Sequence, residues 1–227
     1  MKINSYLKGI AVSYLFVLSA AARAQDWPGL TFYQPQNQAL LDSVNSVGVV
    51  YIGDSITDRW LEISPSFFPE NHFINRGIGG QTSPQILLRF RQDVISLHSK
   101  VVVLLCGTND IAGNTGPMTL EMTEDNIMSI AELAKANKIK MILCSVLPAN
   151  HFGWRPAIQP ADRIIALNTW IKEYAKSRHL PYVDYYSAMV DEQKGLKKEY
   201  SEDGVHPNKA GYAVMEPLVK AAIKKTL

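Results

Sequence analysis

The sequence is poor in cysteine, and this scarcity excludes several classes of protein. Only Cys106 and Cys144 occur among the 227 residues, too few for a disulfide-stapled scaffold. Neither they nor the five histidines have the spacing of a zinc site. Each cysteine lies at or near the end of an apolar run typical of a buried strand. We therefore expect two buried free thiols, because cysteines on adjacent parallel strands seldom reach disulfide geometry.

Long hydrophobic runs are also missing, except at the amino terminus. Two lysines precede a mostly apolar stretch over residues 9–22, and a small-x-small cleavage pattern ends at Ala24. These features predict a secretory signal peptide over residues 1–24, too short and wrongly flanked for a stable membrane span. An uncleaved amino-terminal anchor is the alternative. We expect an exported protein, periplasmic or extracellular, with no stable membrane span after cleavage and one domain over residues 25–227.

The chain has no excess of charge of one sign. Three of its 23 basic residues lie in residues 1–24, which hold no acidic residue, so the other 203 residues carry 20 basic and 21 acidic side chains. The resulting formal charge of −1 gives no reason to expect a nucleic acid or an anionic membrane as partner. There is no internal repeat, low-complexity tract or linker. A chain of this length can bury the core of a single domain.

Strand-like and helix-like segments alternate along the sequence. Helices are predicted from Ser83, over residues 119–136, over 161–178 and after Asn208, and Pro217 is expected to kink or divide the last one. This alternation predicts an α/β fold, a parallel sheet with helices on both faces. The predicted strands cover residues 49–52, 72–75, 100–106, 140–146 and 182–184.

Polar residues and glycines follow the first three predicted strands, in the segments 53–55, 75–80 and 107–110. The carboxyl ends of parallel strands lie along one edge of a sheet, so these segments should converge. Ser55 would have an exposed hydroxyl and a backbone N–H near the positive end of a helix, as suits a nucleophile. The plainer interpretation is that Ser55 only caps the helix, with Asp58 as its partner.

A serine nucleophile needs a base, and His206 is the histidine with the most suitable surroundings. It follows Asp203 by three residues in a loop that contains glycine, just before Pro207 and a helix-capping Asn208. We expect Asp203 to orient the imidazole of His206, which would take the proton of Ser55. An isolated Asp-x-x-His is, however, common in surface loops.

An acyl-transfer site also needs donors for a developing oxyanion. The candidates are the backbone N–H groups of Ser55 and Gly80 and the side-chain amide of Asn109. The glycines at positions 79 and 80 let the backbone approach a substrate closely. Taken singly, these glycines would form a tight turn and Asn109 an Asx-turn.

Four sequence blocks, residues 53–57, 75–80, 107–110 and 203–207, carry these candidates. Together the four blocks resemble those of the SGNH, or GDSL-type, hydrolase superfamily. The resemblance covers essentially the whole chain after residue 24, although Ile56 stands where the family name has Leu. It implies a flavodoxin-like three-layer sandwich with a five-stranded parallel sheet of order 2-1-3-4-5, and no metal or organic cofactor. No Gly-x-Ser-x-Gly occurs, unlike in α/β-hydrolases. The implied roles are nucleophile for Ser55, base for His206, partner of the base for Asp203, and oxyanion donors for Gly80 and Asn109.

The resemblance implies a carboxylic ester hydrolase, and the loop over residues 148–160 is the part most informative about substrate. Its Trp154 could stack on a sugar or cover an acyl chain, and Arg155 could bind a carboxylate or phosphate. Arg76 and Thr108 are further candidates for the rim of the site. The expected partner is a small-molecule or glycan ester, with acetyl esters of carbohydrate first. The alternatives are a lysophospholipase, an acyl thioesterase, and a non-catalytic carbohydrate-binding protein.

Overall fold

The computed structural model describes residues 26–43 and 46–227. The signal peptide predicted over residues 1–24 therefore lies outside the described residues. Within the described ranges, none of the helices combines the length and the apolar character that crossing a membrane requires.

Strands and helices alternate along the described chain, as the sequence predicts. The strands are β1 (Val49–Gly53), β2 (Phe73–Gly77), β3 (Val101–Leu105), β4 (Lys140–Cys144) and β5 (Tyr182–Val183). The helices are α1 (Gln34–Ser43), α2 (Ser55–Ile63), α3 (Phe67–Glu70), α4 (Ser83–Phe90), α5 (Thr108–Ala112), α6 (Leu120–Ala136), α7 (Ala161–Arg178), α8 (Tyr185–Met189) and α9 (Lys209–Thr226). A π-helical turn (Arg91–Ile95) continues α4, and a 3₁₀ turn (Lys198–Tyr200) precedes α9.

The five strands form one parallel sheet in the order β2-β1-β3-β4-β5. In its register, Val50 of β1 pairs with Ile74 of β2 and with Val102 of β3. Both β1 and β3 are buried along their whole length, as central parallel strands are when helices cover both faces. The predicted flavodoxin-like α/β fold with strand order 2-1-3-4-5 is confirmed.

Two apolar cores separate the sheet from its two helix layers. One face packs on α4, α6 and α7, and the other packs on α2, α3 and α9. The second core is rich in aromatic rings, with Trp60 stacked on Phe67 at a centroid distance of 5.0 Å. The prediction of two buried free thiols is confirmed, and Cys106 and Cys144 belong to different cores. Both cores reach the sheet edge at which β3 ends, where Leu105 belongs to one core and Cys106 to the other.

Helix α9 continues from Lys209 to Thr226 with Pro217 inside it. Of the two predicted outcomes, a kink or a division, the division is therefore wrong. Proline removes the hydrogen bond to the carbonyl four residues earlier, here that of Ala213. Both residues are exposed, so water can hydrate this carbonyl. On the opposite side of the helix, buried Met215 and Val219 hold α9 against the sheet on either side of Pro217.

Candidate active site

The turn that follows β1 presents Ser55 at the start of α2. Gly53 is required there because a Cβ atom would lie 2.3 Å from Thr57 Oγ1 and 2.4 Å from the Leu105 carbonyl oxygen. Asp54, not Ser55, is the N-cap, and its Oδ1 accepts a hydrogen bond of 2.9 Å from the Ile56 N–H. The interpretation of Ser55 as a mere helix cap is therefore wrong, and its hydroxyl is free for another partner.

The Asp54 carboxyl is buried beneath this turn. Its Oδ2 has no hydrogen-bond partner among the described residues. Burial raises the pKa of Asp54 to about 7, and the nearby carboxyl of Asp110 adds to the rise. The N-cap thus sits in an apolar setting that disfavours its negative charge.

Ser55, His206 and Asp203 form a continuous chain of hydrogen bonds. The Ser55 Oγ lies 2.9 Å from His206 Nε2, across 151 positions of sequence. On the other side of the ring, His206 Nδ1 lies 2.7 Å from Asp203 Oδ2. This is the geometry in which a carboxylate orients an imidazole that can take a proton from a serine.

Asp203 is fixed by groups within its own loop. Its Oδ1 accepts hydrogen bonds from the N–H groups of Val205 and His206, at 2.9 and 2.8 Å, and from Ser201 Oγ at 3.1 Å. Partial burial would raise the pKa of Asp203, but these bonds and the His206 ring outweigh it and hold that pKa well below its usual range. The carboxylate therefore stays ionised, with Oδ2 left for the ring. Sequence reasoning missed Ser201.

The three predicted oxyanion donors lie on three different elements. Among the described residues, none accepts a hydrogen bond from the backbone N–H of Ser55 or Gly80. Gly80 has φ +76°, the left-handed region that favours glycine. Asn109 Nδ2 donates to the Gln81 carbonyl at 3.0 Å, which leaves its second hydrogen available. Two backbone donors and one amide hydrogen thus remain unused by the described protein atoms.

A buried arginine that sequence reasoning missed joins two of these elements. Arg89 Nη2 donates to the Gly53 carbonyl at 2.9 Å, and its Nε donates to Gln81 Oε1 at 2.6 Å. The third arm forms an ion pair of 2.9 Å with Asp93, and both side chains are fully buried. The end of β1 and the segment after Gly80 are therefore held by one guanidinium group.

The loop over residues 148–160 lies against the Ser–His–Asp group. The ring centroids of Trp154 and His206 are 6.5 Å apart, and Trp154 stacks on the buried ring of Phe152 at 4.9 Å. A Cβ at Gly204 would lie 2.9 Å from Cε1 of His151, so the loop also contacts the segment that carries Asp203. Trp154 remains 43% exposed, so part of its indole ring faces solvent.

The other residues predicted on the rim lie in different settings. Arg155 is exposed, with Nη2 3.4 Å from the Gly113 carbonyl oxygen. Arg76 is only 4% exposed, so its expected place on the rim is wrong. It donates to Asn37 Oδ1 at 2.8 Å and lies 4.6 Å above the Tyr33 ring. Thr108 is likewise buried, as the first residue of α5.

The described part of the chain contains no candidate metal site. There, no group of three or more His, Cys, Asp or Glu side chains is arranged to hold a metal ion. Ser55, His206 and Asp203 are instead hydrogen-bonded to one another. The arrangement can activate a hydroxyl and stabilise an oxyanion with the chain's own backbone and side-chain groups.

Comparisons with known proteins agree with this geometry. The sequence pattern of the GDSL-like lipase/acylhydrolase family matches residues 51–214, a range that includes the Ser–His–Asp group and all three donors. A crystal structure of a GDSL-like lipase from Bacteroides thetaiotaomicron superposes with a TM-score of 0.85 at 50% identity, covering 88% of this chain and 99% of that one.

Two curated relatives match more locally. An acetylxylan esterase of Xylanibacter ruminicola is 27% identical over 152 residues, which cover 59% of this chain and 30% of that protein. The uncharacterised lipoprotein YqeF of Bacillus subtilis is 33% identical over 130 residues, covering 56% of this chain and 44% of that protein. This chain thus spans less than half the length of either curated relative. On the match over residues 51–214, the chain belongs to the GDSL-like lipase/acylhydrolase family.

Proposed function

We propose that this protein is an exported serine esterase that hydrolyses carboxylic esters of short acyl groups, with acetyl esters of carbohydrate as its substrates. The observation that carries the proposal is the hydrogen-bonded chain from Ser55 Oγ to His206 at 2.9 Å and from His206 to Asp203 at 2.7 Å. The signal peptide predicted over residues 1–24 supports export, as does the lipoprotein relative.

In the first half-reaction, Ser55 Oγ attacks the ester carbonyl carbon while His206 Nε2 takes the hydroxyl proton. The carbonyl π electrons move to oxygen, and the N–H groups of Ser55 and Gly80 and the amide of Asn109 stabilise the oxyanion. Collapse of this intermediate breaks the bond to the alcohol oxygen, which receives the proton from His206. The alcohol leaves, and the acyl group stays on Ser55.

In the second half-reaction, water attacks the acyl-enzyme and gives a proton to His206. The intermediate collapses, the carboxylic acid leaves, and Ser55 Oγ recovers its proton from the ring. Asp203 stays ionised throughout and stabilises the imidazolium that forms in each half. Its lowered pKa keeps it in the required form at neutral pH.

A carbohydrate leaving group is supported by the exposed indole of Trp154 beside His206. An aromatic face provides a large apolar surface on which a sugar ring can stack. Two cavities in the described chain have volumes of about 650 and 480 Å³, and neither is lined by Ser55 or His206. Neither therefore offers an acyl tunnel that begins at the nucleophile. The similarity to an acetylxylan esterase also favours acetylated carbohydrate.

The test is hydrolysis of a p-nitrophenyl ester series, from acetyl to palmitoyl, by the purified protein with Ser55→Ala as control. We expect turnover to fall with acyl length and to disappear in the variant. Acetate release from acetylated oligosaccharides then tests the leaving group. Turnover that rises with acyl length would replace this proposal with a lysophospholipase or thioesterase. Glycan binding without labelling of Ser55 by a serine-directed phosphonate would indicate a non-catalytic binding protein.

A further inference from the structure

One half-buried asparagine outside the predicted site, Asn114, contacts two of the oxyanion donor residues, Gly80 and Asn109, and the loop over residues 148–160. Asn114 Nδ2 donates to Asn109 Oδ1 at 2.8 Å and to the Gly80 carbonyl at 3.3 Å. Its Oδ1 accepts a hydrogen bond of 3.0 Å from Trp154 Nε1. Both amide hydrogens and the amide oxygen are therefore used, each by a different part of the site.

The contact with Asn109 decides which end of that amide faces a substrate. An asparagine side chain has nearly the same shape when its oxygen and nitrogen are exchanged, so only its partners fix its orientation. The Asn114 amide can donate only to the oxygen of Asn109, while the Gln81 carbonyl can accept only from its nitrogen. Asn114 therefore favours the one orientation in which Asn109 keeps a hydrogen for the oxyanion.

The contact with Gly80 ties the second donor to the same amide. The Gly80 carbonyl accepts from Asn114, and the next carbonyl, of Gln81, accepts from Asn109. The carbonyls of Gly80 and Gln81, in consecutive peptide groups, thus both accept hydrogen bonds from the segment over residues 109–114 that follows β3. A donor that is already in place lowers the free energy of the transition state without reorganisation during reaction.

We propose that Asn114 is a positioning residue that orients the oxyanion donors Asn109 and Gly80 and couples them to Trp154. The inference rests on the proposed function, since it assigns Asn114 to the oxyanion hole of that same reaction. If Asn114 only shaped the turn after α5, replacing its side chain would leave kcat unchanged. That turn is closed by backbone bonds, including Asn114 N–H to the Asn109 carbonyl at 3.0 Å, which both alanine and aspartate at position 114 preserve.

The experiment measures kcat, KM and Tm of the full chain and of Asn114→Ala and Asn114→Asp, with p-nitrophenyl acetate as substrate. We expect Asn114→Ala to lower kcat roughly 10- to 100-fold and to change KM less than about threefold, as for a group that acts on the transition state. Asn114→Asp keeps the shape, but it cannot donate to Asn109 and brings a negative charge. Its kcat should fall at least as far.

Two further variants test the hydrogen bond between Asn114 and Trp154 and provide a control. Trp154→Phe removes the indole N–H together with part of the ring, and the share of its effect that comes from the N–H should vanish when Asn114 is already alanine. Asn137→Ala makes the same chemical change at the end of α6, where the amide donates to the Leu133 carbonyl and to no other group in the described ranges. This matched control should keep the kcat of the wild-type protein.

The outcomes distinguish this inference from the proposed function. Ser55-dependent turnover in the wild type, with kcat of both Asn114 variants within twofold, would overturn the role of Asn114 and leave the esterase in place. If the alanine variant does not fold, the isosteric aspartate variant decides the matter on the same criterion. A wild-type protein with no ester turnover and no phosphonate on Ser55 would overturn both.

Discussion

Two parts of the site are held by different kinds of contact, and we call them the nucleophile turn, residues 53–55, and the acid–base loop, residues 201–207. In the nucleophile turn Gly53 and Asp54 are buried and Ser55 is half-buried, and the turn is held by residues distant in sequence. Its Gly53 carbonyl accepts hydrogen bonds from Arg89 at 2.9 Å and from the Ile78 N–H at 3.1 Å. Both partners are more than twenty positions away in sequence, so the turn requires the folded sheet.

The acid–base loop is local and more exposed. The side chain of Asp203 is 51% exposed, yet all three groups that donate to its Oδ1 lie within residues 201–206. An antiparallel bridge between Ser201 and Pro207 closes the loop. Changes in the loop should therefore alter chemistry with little effect on stability, whereas changes in the buried turn can alter either one.

The largest expected effect comes from removing the nucleophile. Ser55→Ala should lower kcat by about 10⁶-fold, the loss seen when a serine protease loses its serine. Stability should hardly change, because Asp54 and not Ser55 caps α2. Steady-state kinetics and a thermal melt check both parts. Turnover close to that of the wild type would show that Ser55 is not the nucleophile.

In the acid–base loop, Asp203→Asn should lower kcat by about 10⁴-fold, as the corresponding change does in a serine protease. The amide oxygen can still accept from the backbone of the loop. The amide nitrogen then faces His206 Nδ1 and holds the ring in the wrong tautomer. Because the loop is exposed, Tm should shift by only a few degrees. A kcat within tenfold of the wild type would mean that the loop does not orient the base.

Between the two regions, Asn109→Ala removes one oxyanion donor. We expect kcat to fall by roughly 10²–10³-fold, the range for loss of one such donor. KM should change little if the amide acts on the transition state alone. The same measurement in Asn137→Ala serves as a control, since that amide donates to the Leu133 carbonyl at the end of α6, outside the Ser–His–Asp group and the oxyanion donors. A rise in KM at unchanged kcat would assign Asn109 to substrate binding.

The smallest effect on turnover, and a clear one on stability, is expected for Asp54→Asn in the nucleophile turn. Asp54 has a pKa of about 7 in the folded protein, above the usual aspartate value. Between about pH 4 and pH 7 the unfolded chain releases this proton while the folded protein keeps it, so the wild type loses stability as pH rises.

Asparagine keeps the capping oxygen and cannot ionise. Compared with the wild type, Asp54→Asn should therefore gain stability from pH 4 to pH 7, by up to a few kcal/mol, and show a constant difference above that range. Denaturant unfolding at several pH values measures the difference. Parallel stability curves for the two proteins would show that folding does not raise the pKa of Asp54.

The contrast between local contacts and contacts made across the fold also explains what the sequence could predict. Apolar runs that end at glycine placed β1 over residues 49–52, against an observed Val49–Gly53. The strand order and the convergence of Ser55 with His206 followed from the four blocks. The alternative in which Ser55 caps the helix is wrong, since Asp54 is the N-cap. Asp54 and Ser55 are both good caps, and only packing decides between them.

Buried polar contacts could not be predicted in the same way. The pattern of α4 shows an apolar stripe, and a charged residue such as Arg89 is usually expected on the exposed side of a helix. Its burial follows from partners on β1 and after β2, which only the folded chain brings together. The same holds for Arg76, predicted on the rim and found buried beside Asn37 and Tyr33. Asn114 carries no signal in the sequence beyond a residue type common in turns.

The most direct test of the central claim is covalent labelling of the purified protein by a serine-directed phosphonate, with the modified residue mapped by mass spectrometry. The account predicts one phosphonate on Ser55, lost labelling in Ser55→Ala, and strongly slowed labelling in His206→Ala, because the ring at 2.9 Å activates the hydroxyl. Labelling of another serine, or equal labelling rates with and without His206, would contradict it.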